Sequence, residues 1–427
     1  MLEDDISDRF TQDPLRFLEA HFPHDGGVVR IGAAEYALGD PIAARDVLRN
    51  ADGRYREHSD FFHSRHGDFG PRAAQLKIRR DARTLVRDLL QRQDPQALRA
   101  LVDQRLAEVS EWPDAGNRLV YGYLSPLLLA PDSPPKLRAL LDRIVERAVL
   151  ANARARQPRW RRMLLQFQTT FQLSSAIEAR QRAHRPQPQD LLDVVAGAAE
   201  PGQRLDELSE IYLSFLFAVA GSVGFVLAWS LYLAGTHPRR DVPADWVVRE
   251  ALRLWPVAWQ LGRRPAAAHA VAGTDVTTTD EVVVCPYLVH RHPDYWADPG
   301  AFRPERWAAP EAWQNPAFIP FGHGPHRCVA ADLSQALVAA LYTAIEADHA
   351  LVVTPHDTRP TIAAAMAPPP FRLSRRPRTP ATAVREEGCP AAGARPSAAT
   401  PGRRDARRAV PMTMRSDPRL QPQGETT

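Results

Sequence analysis

Residues 211–235 form an uncharged, strongly apolar run that narrows the folds open to this chain more than any other feature. The run is long enough to span the hydrocarbon core of a bilayer, and His237, Arg239 and Arg240 follow it closely. Serines and glycines interrupt it, however, and a helix that is apolar on all sides can instead lie buried in a large protein. We expect a buried central helix and no membrane span, with the membrane-spanning helix as the alternative.

Length and composition favour one large domain. The chain has 427 residues, of which 44% are hydrophobic, and no linker-like stretch interrupts residues 10–376. The segment from residue 377 onward contains nine Arg and five acidic residues, so it accounts for the whole net charge of +4. We therefore predict a domain over residues 1–376, a disordered Pro-, Arg- and Ala-rich tail over residues 377–427, and no nucleic-acid partner.

Cysteine usage and the first residues indicate the compartment. Cys285, Cys328 and Cys389 are too few and too scattered to form a disulfide framework. Three of the first five residues are acidic, and the start lacks the apolar segment of a signal peptide. Both observations are those expected of a protein in the reducing cytoplasm.

Apolar residues recur at helical spacing through most of the domain, which predicts a mainly α fold with small β-sheets. The spacing predicts helices over residues 41–50, 73–91, 95–110, 134–153 and 159–182. Short runs of β-branched and aromatic residues predict strands over residues 28–31, 36–38 and 282–284.

Cys328 follows a glycine-rich, basic turn and precedes an apolar helical stretch. The N-terminus of a helix favours negative charge, so this position favours the thiolate over the thiol. The glycines permit a tight turn that comes close to a flat ring, and His326 and Arg327 offer donors to carboxylates. These properties suit a thiolate ligand of haem iron, whereas the alternative is a structural cysteine in an ordinary loop.

The stretch from residue 321 to residue 330 resembles the haem-thiolate signature of the cytochrome P-450 family. Phe321, Gly324, His326 and Cys328 match its fixed positions, and Ala330 stands where the family usually has Gly. The resemblance implies the cytochrome P-450 fold and haem b with Cys328 as the axial iron ligand. A thiolate ligand pushes electron density to the iron and favours cleavage of the O–O bond.

Three further residues match a structural motif of the same family. Glu250 and Arg253 are three positions apart and can pair on one face of a helix. Arg306 lies in a segment that resembles the one bringing a second arginine to this pair. The resemblance implies that the three side chains lock the core on the cysteine side of the haem.

Candidate contacts to the haem propionates lie on two other segments. Gln75 and Arg79 are four residues apart on one helical face, and Gln75 replaces the His or Trp usual in the family. Arg263 lies near another family position that contacts a propionate, and Arg264 is an equally good candidate. The alternative for the first segment is a solvated basic helix face.

The central helix departs from the family pattern of Ala-Gly, any residue, an acid and Thr. Ala220 and Gly221 match, but Val223 and Gly224 replace the acid and the Thr that help to deliver protons to bound oxygen. Three interpretations follow. In the first, protons come from water in the space left by the missing side chains, from the substrate, or from Ser222, although an offset of one residue rotates Ser222 by about 100° around the helix. In the second, the protein uses peroxide or oxidises without inserting oxygen. In the third, oxygen activation is lost.

The resemblance implies a monooxygenase that uses O2 and acts on a small hydrophobic specialised metabolite. The alternatives are a peroxide-using or oxidative-coupling haem enzyme, and a non-catalytic haem- or ligand-binding protein. We expect variable loops over residues 55–71 and 159–171, with the central helix, to line the substrate pocket.

Electrons are expected from a ferredoxin and its reductase, since the chain shows no flavin or nicotinamide fingerprint. The basic helix with Lys77, Arg79, Arg80, Arg83 and Arg87 is the predicted docking surface, because basic patches steer acidic partners. The alternative is a solvated face.

Overall fold

The uncharged run lies inside one long helix that crosses the core. This central helix (Leu205–Thr236) contains a wider π-helical turn at Ala218–Ser222. In the described part of the chain it alone is long and apolar enough to cross a membrane, yet 67% of its most apolar window is buried in the protein. It packs against the helices Asp114–Leu128, Ala244–Leu254 and Ala331–Glu346. This packing supports the interpretation as a core helix.

The computed structural model describes residues 2–22, 27–150, 159–183, 185–200, 202–238 and 241–377. The other α-helices span Leu2–Gln12, Pro14–His21, Pro41–Arg49, Arg72–Gln91, Pro95–Arg105, Asp114–Leu128, Pro135–Ile144, Arg159–Ala183, Leu191–Gly197, Ala244–Leu254, Pro286–Val289, Pro310–Trp313 and Ala331–Glu346. A second π-helical turn spans Val145–Val149, and 3-10 turns span Pro304–Ala308 and Gly324–His326. A mainly α fold with small sheets is therefore confirmed.

The predicted strands meet in a sheet of four. Its order is Val28–Arg30, Glu35–Leu38, Glu281–Val284 and Leu261–Arg263. Glu281–Val284 pairs in parallel with Glu35–Leu38 and antiparallel with Leu261–Arg263. This places the buried Arg263 at the end of a half-buried edge strand.

The helix predicted over residues 95–110 is too long. It ends at Arg105, Leu106 is extended, and Val109–Trp112 forms a strand whose side chains alternate between exposed and buried. This strand pairs with Phe371–Pro377, which pairs in turn with His349–Pro355. Pairing with a distant segment overrides the local helical pattern here.

The remaining short strands form three hairpins. They pair His63–Ser64 with Gly67–Asp68, His269–Val271 with Thr274–Val276, and Thr361–Ile362 with Met366–Ala367.

Two predicted segments extend past the described residues. The helix predicted over residues 134–153 is present as Pro135–Ile144 and the following π-helical turn, and residues 151–153 lie outside the description. Apart from Pro377, the predicted tail lies outside the described residues, as does Cys389.

Candidate functional site

A cavity of about 330 Å³ lies below the central helix and is lined mostly by apolar side chains. Cys328 lies in its wall, and the central helix contributes Val219, Ser222 and Val226. We call this space the central cavity. Pockets for small ligands are typically mostly apolar with a few polar groups, which is the character of this one.

The backbone of the cysteine turn holds Cys328 at the cavity. The N–H of Cys328 donates to the Phe321 carbonyl at 2.9 Å, and Phe321 itself lines the cavity. Gly322 and Gly324 have φ angles of +71° and +70°, which other residues rarely adopt. A Cβ at Gly324 would lie 2.8 Å from the Cα of Arg49, so this position also excludes side chains.

Burial raises the pKa of the Cys328 thiol, although the Ala330 N–H, Arg79 and Arg327 act in the opposite direction. The helix N-terminus alone therefore does not make this cysteine a thiolate. A bound metal ion reverses the balance, because a coordinating thiol loses its proton outright. Cys328 is nevertheless exposed in the wall of the cavity, so it is an accessible ligand that a bound cation would deprotonate.

Three of the predicted propionate contacts line the central cavity: Arg79, Arg263 and His326. Arg263 and Arg264 were equal candidates by sequence, and the structure separates them. The Arg263 side chain is 5% exposed and faces the cavity, whereas that of Arg264 is 66% exposed and lies 3.6 Å from Glu281. Of these two arginines, Arg263 is therefore the one placed to contact a ligand carboxylate inside the central cavity.

These three basic groups have protein partners in this structure. Arg79 donates to the Arg327 carbonyl at 2.6 Å, and Arg263 donates to the Asp60 carboxylate at 3.0 Å. His326 lies 2.7 Å from the Glu57 carboxylate. A cavity with a cysteine in its wall and basic groups around it fits a flat, apolar cofactor that carries carboxylates, as haem does.

Gln75 does not reach the cavity. Its side chain is buried and donates to the Phe69 carbonyl at 2.8 Å. Among the described residues, Gln75 is absent from the cavity lining, and its Oε1 has no hydrogen-bond partner. The structure thus gives Gln75 a contact to the backbone of the preceding loop.

Glu250, Arg253 and Arg306 do lie together. Glu250 accepts from Arg253 Nε at 2.9 Å and Nη2 at 2.8 Å, and from Arg306 Nε at 3.0 Å. Trp307 Nε1 and the Arg303 N–H also donate to it, at 3.1 Å and 3.0 Å. The Glu250 and Arg253 side chains are 0% exposed, so each buried charge is compensated by the other and not by water.

The π-helical turn of the central helix sets which residues face the cavity. Asn117 Nδ2 donates to the carbonyls of Ala220 at 2.6 Å and Gly221 at 3.0 Å. Among the described lining residues, Ser222 and Val223 are present and Ala220 and Gly221 are not. Ser222 therefore reaches the cavity, which its one-residue offset from the usual acid position did not predict, because the π-turn changes the register of the helix.

Gly224 does not open space for water. A Cβ at this position would lie 2.6 Å from Asn117 Nδ2 and 2.8 Å from Asn117 Cα. The site where the family carries Thr is thus packed against the helix Asp114–Leu128. The sequence interpretation missed Asn117, and no local pattern singles out a buried Asn on a distant helix.

We expect Gly224→Ala to lower the free energy of unfolding by about 1–3 kcal/mol, as overpacking in a core commonly does. Gly221→Ala is the matched control, because its Cβ would lie 3.6 Å from Val149 Cγ1, an ordinary contact. Urea unfolding of the two variants and the parent measures this. Equal stabilities for the two variants would contradict a packing requirement at Gly224.

One of the two predicted substrate loops borders the cavity. Residues 55–71 supply Ser59, Asp60, Phe61 and Phe62 to its wall. The described side chains of residues 163–171 supply none, and those of Met163, Phe167 and Phe171 are exposed. The expectation that residues 159–171 line the pocket is not reproduced by this structure.

Comparisons with known proteins agree with this architecture. A family model described as cytochrome P-450 matches residues 244–362. Cytochrome P-450 4V2 of Mus musculus is 32% identical over 161 residues, which is 30% of this chain and 30% of that protein. Putative cytochrome P-450 139 of Mycobacterium tuberculosis is 28% identical over 263 residues, 54% of this chain and 57% of that protein. The match thus spans less than two thirds of either relative.

Solved structures share the fold over most of the chain. The ligand-free structure of cytochrome P-450 TbtJ1 has a TM-score of 0.65 at 18% identity, covering 86% of this chain and 98% of that one. The post-tailoring hydroxylase HmtN of himastatin biosynthesis also has a TM-score of 0.65, at 16% identity, covering 85% and 97%. Residues 244–362 thus match the cytochrome P-450 family, which binds haem through a cysteine thiolate, and the solved structures show that the chain has the cytochrome P-450 fold.

Proposed function

We propose that the protein is a haem-thiolate monooxygenase that oxidises a small hydrophobic metabolite. The observation that carries this proposal is the position of Cys328 in the wall of an apolar cavity that three basic side chains also line. The absorption spectrum of purified protein, reduced with dithionite and exposed to CO, tests it. A strongly red-shifted Soret band is expected, and a band at the position for imidazole or protonated-thiol ligation would contradict it.

Bound haem would supply the activation of oxygen, and the protein's residues would hold the cofactor and exclude water. In this proposal Cys328 would bind the haem iron through its sulfur, and Arg79, Arg263 and His326 would hold the propionates. Guanidinium groups suit carboxylates because they can form two parallel hydrogen bonds. The apolar side chains of the cavity leave little polar surface for competing water.

Ser222 is the proposed hydroxyl at the cavity in place of the usual acid and Thr. It lines the cavity from the central helix, whereas Val223 beside it cannot carry a proton. We therefore place a proton-holding group at Ser222 Oγ. The substrate's own hydroxyl is the alternative source.

We expect Ser222→Ala to reduce the product formed per NADPH consumed, by up to about 10²-fold if this hydroxyl is the general acid. Ser230→Ala is the control, because Ser230 lies in the same helix and its hydroxyl donates to the Val226 carbonyl at 2.8 Å. Unchanged coupling in Ser222→Ala would favour the substrate's hydroxyl. Product formation with peroxide but not with NADPH would favour the peroxide-using alternative.

The relatives support a specialised metabolite as the substrate class. Besides the himastatin hydroxylase, a cyclooctat-9-en-7-ol 5-monooxygenase of Streptomyces melanosporofaciens is 29% identical over 170 residues, 33% of this chain and 37% of that protein. A cytoplasmic location fits such a role. The second candidate function, a non-catalytic haem-binding protein, is favoured by Val223 and Gly224 at the acid and Thr positions, and it would consume no reductant above background.

The basic helix (Arg72–Gln91) lies beside the cysteine turn, which supports it as a docking surface for ferredoxin. Arg79 and Arg83 donate to the carbonyls of Arg327 and Val329, so these two arginines hold the turn. Arg80 and Arg87 are 73% and 52% exposed, and their pairs with the adjacent Asp81 and Asp88 are weak surface pairs that leave them accessible to a partner. We propose that an acidic ferredoxin, served by its reductase, binds here.

Charge reversal at Arg80 and Arg87 is expected to slow reduction by ferredoxin about tenfold at low ionic strength, because steering of acidic partners is lost. Stopped-flow reduction under CO measures the rate, and reduction by dithionite should be unchanged. The matched control is Arg182→Glu, a reversal at an exposed arginine of the helix Arg159–Ala183. If the variant with both Arg80 and Arg87 reversed is reduced by ferredoxin at the parental rate, the basic helix is not the docking surface.

A further inference from the structure

We propose a divalent transition-metal site, of the type that binds zinc, on the loop over residues 55–71. His58, His63 and Asp68 turn their ligand atoms toward one point, and these atoms all lie within 4.8 Å of one another. The loop belongs to the wall of the central cavity, but these three residues are not part of the cavity lining described above. The site is therefore separate from the one assigned to haem.

The spacing of the ligand atoms fits a small cation. Asp68 Oδ1 lies 3.1 Å from His58 Nδ1 and 3.2 Å from His63 Nδ1. Tetrahedral zinc, with bonds of about 2.0–2.2 Å to nitrogen and oxygen, separates its ligand atoms by about 3.3–3.5 Å. Only small side-chain movements would admit the ion, which would replace protons on the two imidazoles. Two histidines and a carboxylate form an established ligand set for zinc, with water as the fourth ligand.

A second carboxylate lies near one of the ligands. His58 Nε2, the ring nitrogen that faces away from Asp68, lies 3.6 Å from Asp60 Oδ1. Histidines that bind metals usually donate their other N–H to a carboxylate, which fixes the tautomer. Asp60 in turn accepts from Arg263 at 3.0 Å, and Arg263 lines the central cavity. The proposed site is thus connected to the cavity through Asp60 and Arg263.

The loop that carries the ligands is also attached to the central helix. Arg65, in the hairpin turn between His63–Ser64 and Gly67–Asp68, pairs with Glu210 at 2.8 Å and with Asp206 at 3.1 Å. The Phe61 ring packs on Phe215 with centroids 4.8 Å apart. A metal ion that joins His58 to the hairpin would therefore hold the loop closed on itself beside the cavity wall.

The experiment titrates tag-free, haem-loaded protein with zinc chloride against a fluorescent zinc indicator, with zinc per iron measured by elemental analysis. One zinc per protein is expected. His63→Ala and Asp68→Asn should each weaken zinc binding at least about tenfold. Even the loss of a residue that only hydrogen-bonds to a metal ligand commonly lowers metal affinity by about 10–100-fold. Asp60→Asn, which removes such a partner, should weaken binding within that range. His66→Ala is the matched control, because His66 lies in the same hairpin and pairs with Asp206.

Thermal unfolding provides a second readout that does not depend on activity. Zinc should raise the unfolding temperature of the parent and of His66→Ala, because a ligand that binds only the folded state stabilises it. At the same zinc concentration it should raise the unfolding temperatures of His63→Ala and Asp68→Asn by less, because both variants bind zinc more weakly. Absence of saturable zinc binding, or binding that both ligand variants retain, would overturn the proposal. The cluster would then be a set of hydrogen bonds between histidines and aspartate.

Discussion

Cys328→Ala is expected to abolish the strongly red-shifted Soret band of the reduced, CO-bound protein. Cys328 is the cysteine in the wall of the central cavity, and its backbone is held by the Phe321 carbonyl. Removing the sulfur removes the thiolate that produces this spectrum and that favours O–O cleavage. Product formation from NADPH should fall to background in the same variant. This is the largest functional effect that we expect from a single substitution.

Cys285→Ala is the control for this experiment. Cys285 is buried at the end of the strand Glu281–Val284, and burial raises the pKa of its thiol to about 12. In the described structure it does not line the central cavity, so its loss should leave the spectrum unchanged. A red-shifted band that survives in Cys328→Ala would remove Cys328 as the iron ligand, and with it the proposed monooxygenase mechanism.

Glu250→Ala is expected to lower the free energy of unfolding by about 3–5 kcal/mol, the range for breaking a buried ion pair. The substitution leaves the Arg253 guanidinium buried without its carboxylate, and it also removes an acceptor from Arg306 and Trp307. Among the described residues, the hydrogen-bond acceptors that remain to Arg253 are the carbonyls of His290, Pro299 and Ala301. These neutral acceptors do not compensate a buried charge as a carboxylate does.

Glu146→Ala provides the comparison for the buried pair. Glu146 forms a bidentate pair with Arg118, with both hydrogen bonds at 2.8 Å, but both side chains are about half exposed. Exposed pairs typically contribute about 0–1 kcal/mol, so this variant should unfold near the parental urea concentration. Urea unfolding of haem-loaded proteins followed by tryptophan fluorescence measures both. Similar urea midpoints for Glu250→Ala and Glu146→Ala would show that burial does not determine how much Glu250 contributes to stability.

The cysteine turn and the Glu250 motif could be predicted because they depend on residue types at short, constant spacing. Gly324 is needed by a positive φ angle and by the close approach of Arg49, and Cys328 follows it by four positions. Glu250 and Arg253 meet because residues three apart share a helical face. Such relations belong to the local backbone, so the linear sequence already contains them.

Most of the secondary structure follows for the same reason, with one informative failure. The first two residues of the strand Val109–Trp112 were assigned to a helix and the rest to no strand, because the partner strand, Phe371–Pro377, lies more than 250 residues away in sequence. Local spacing carries no information about such a partner. The alternating exposure of its four side chains is visible only after the sheet has formed.

By itself, the sequence determined the mainly helical class, the buried run and the order of the cysteine and Glu–Arg motifs. Only the tertiary structure selected Arg263 over Arg264, turned Ser222 to the cavity, and placed Asn117 against Gly224. It also gathered His58, His63 and Asp68 around one point. The physical reason is that short-range backbone geometry is encoded locally, whereas burial and side-chain contacts depend on segments that only packing brings together.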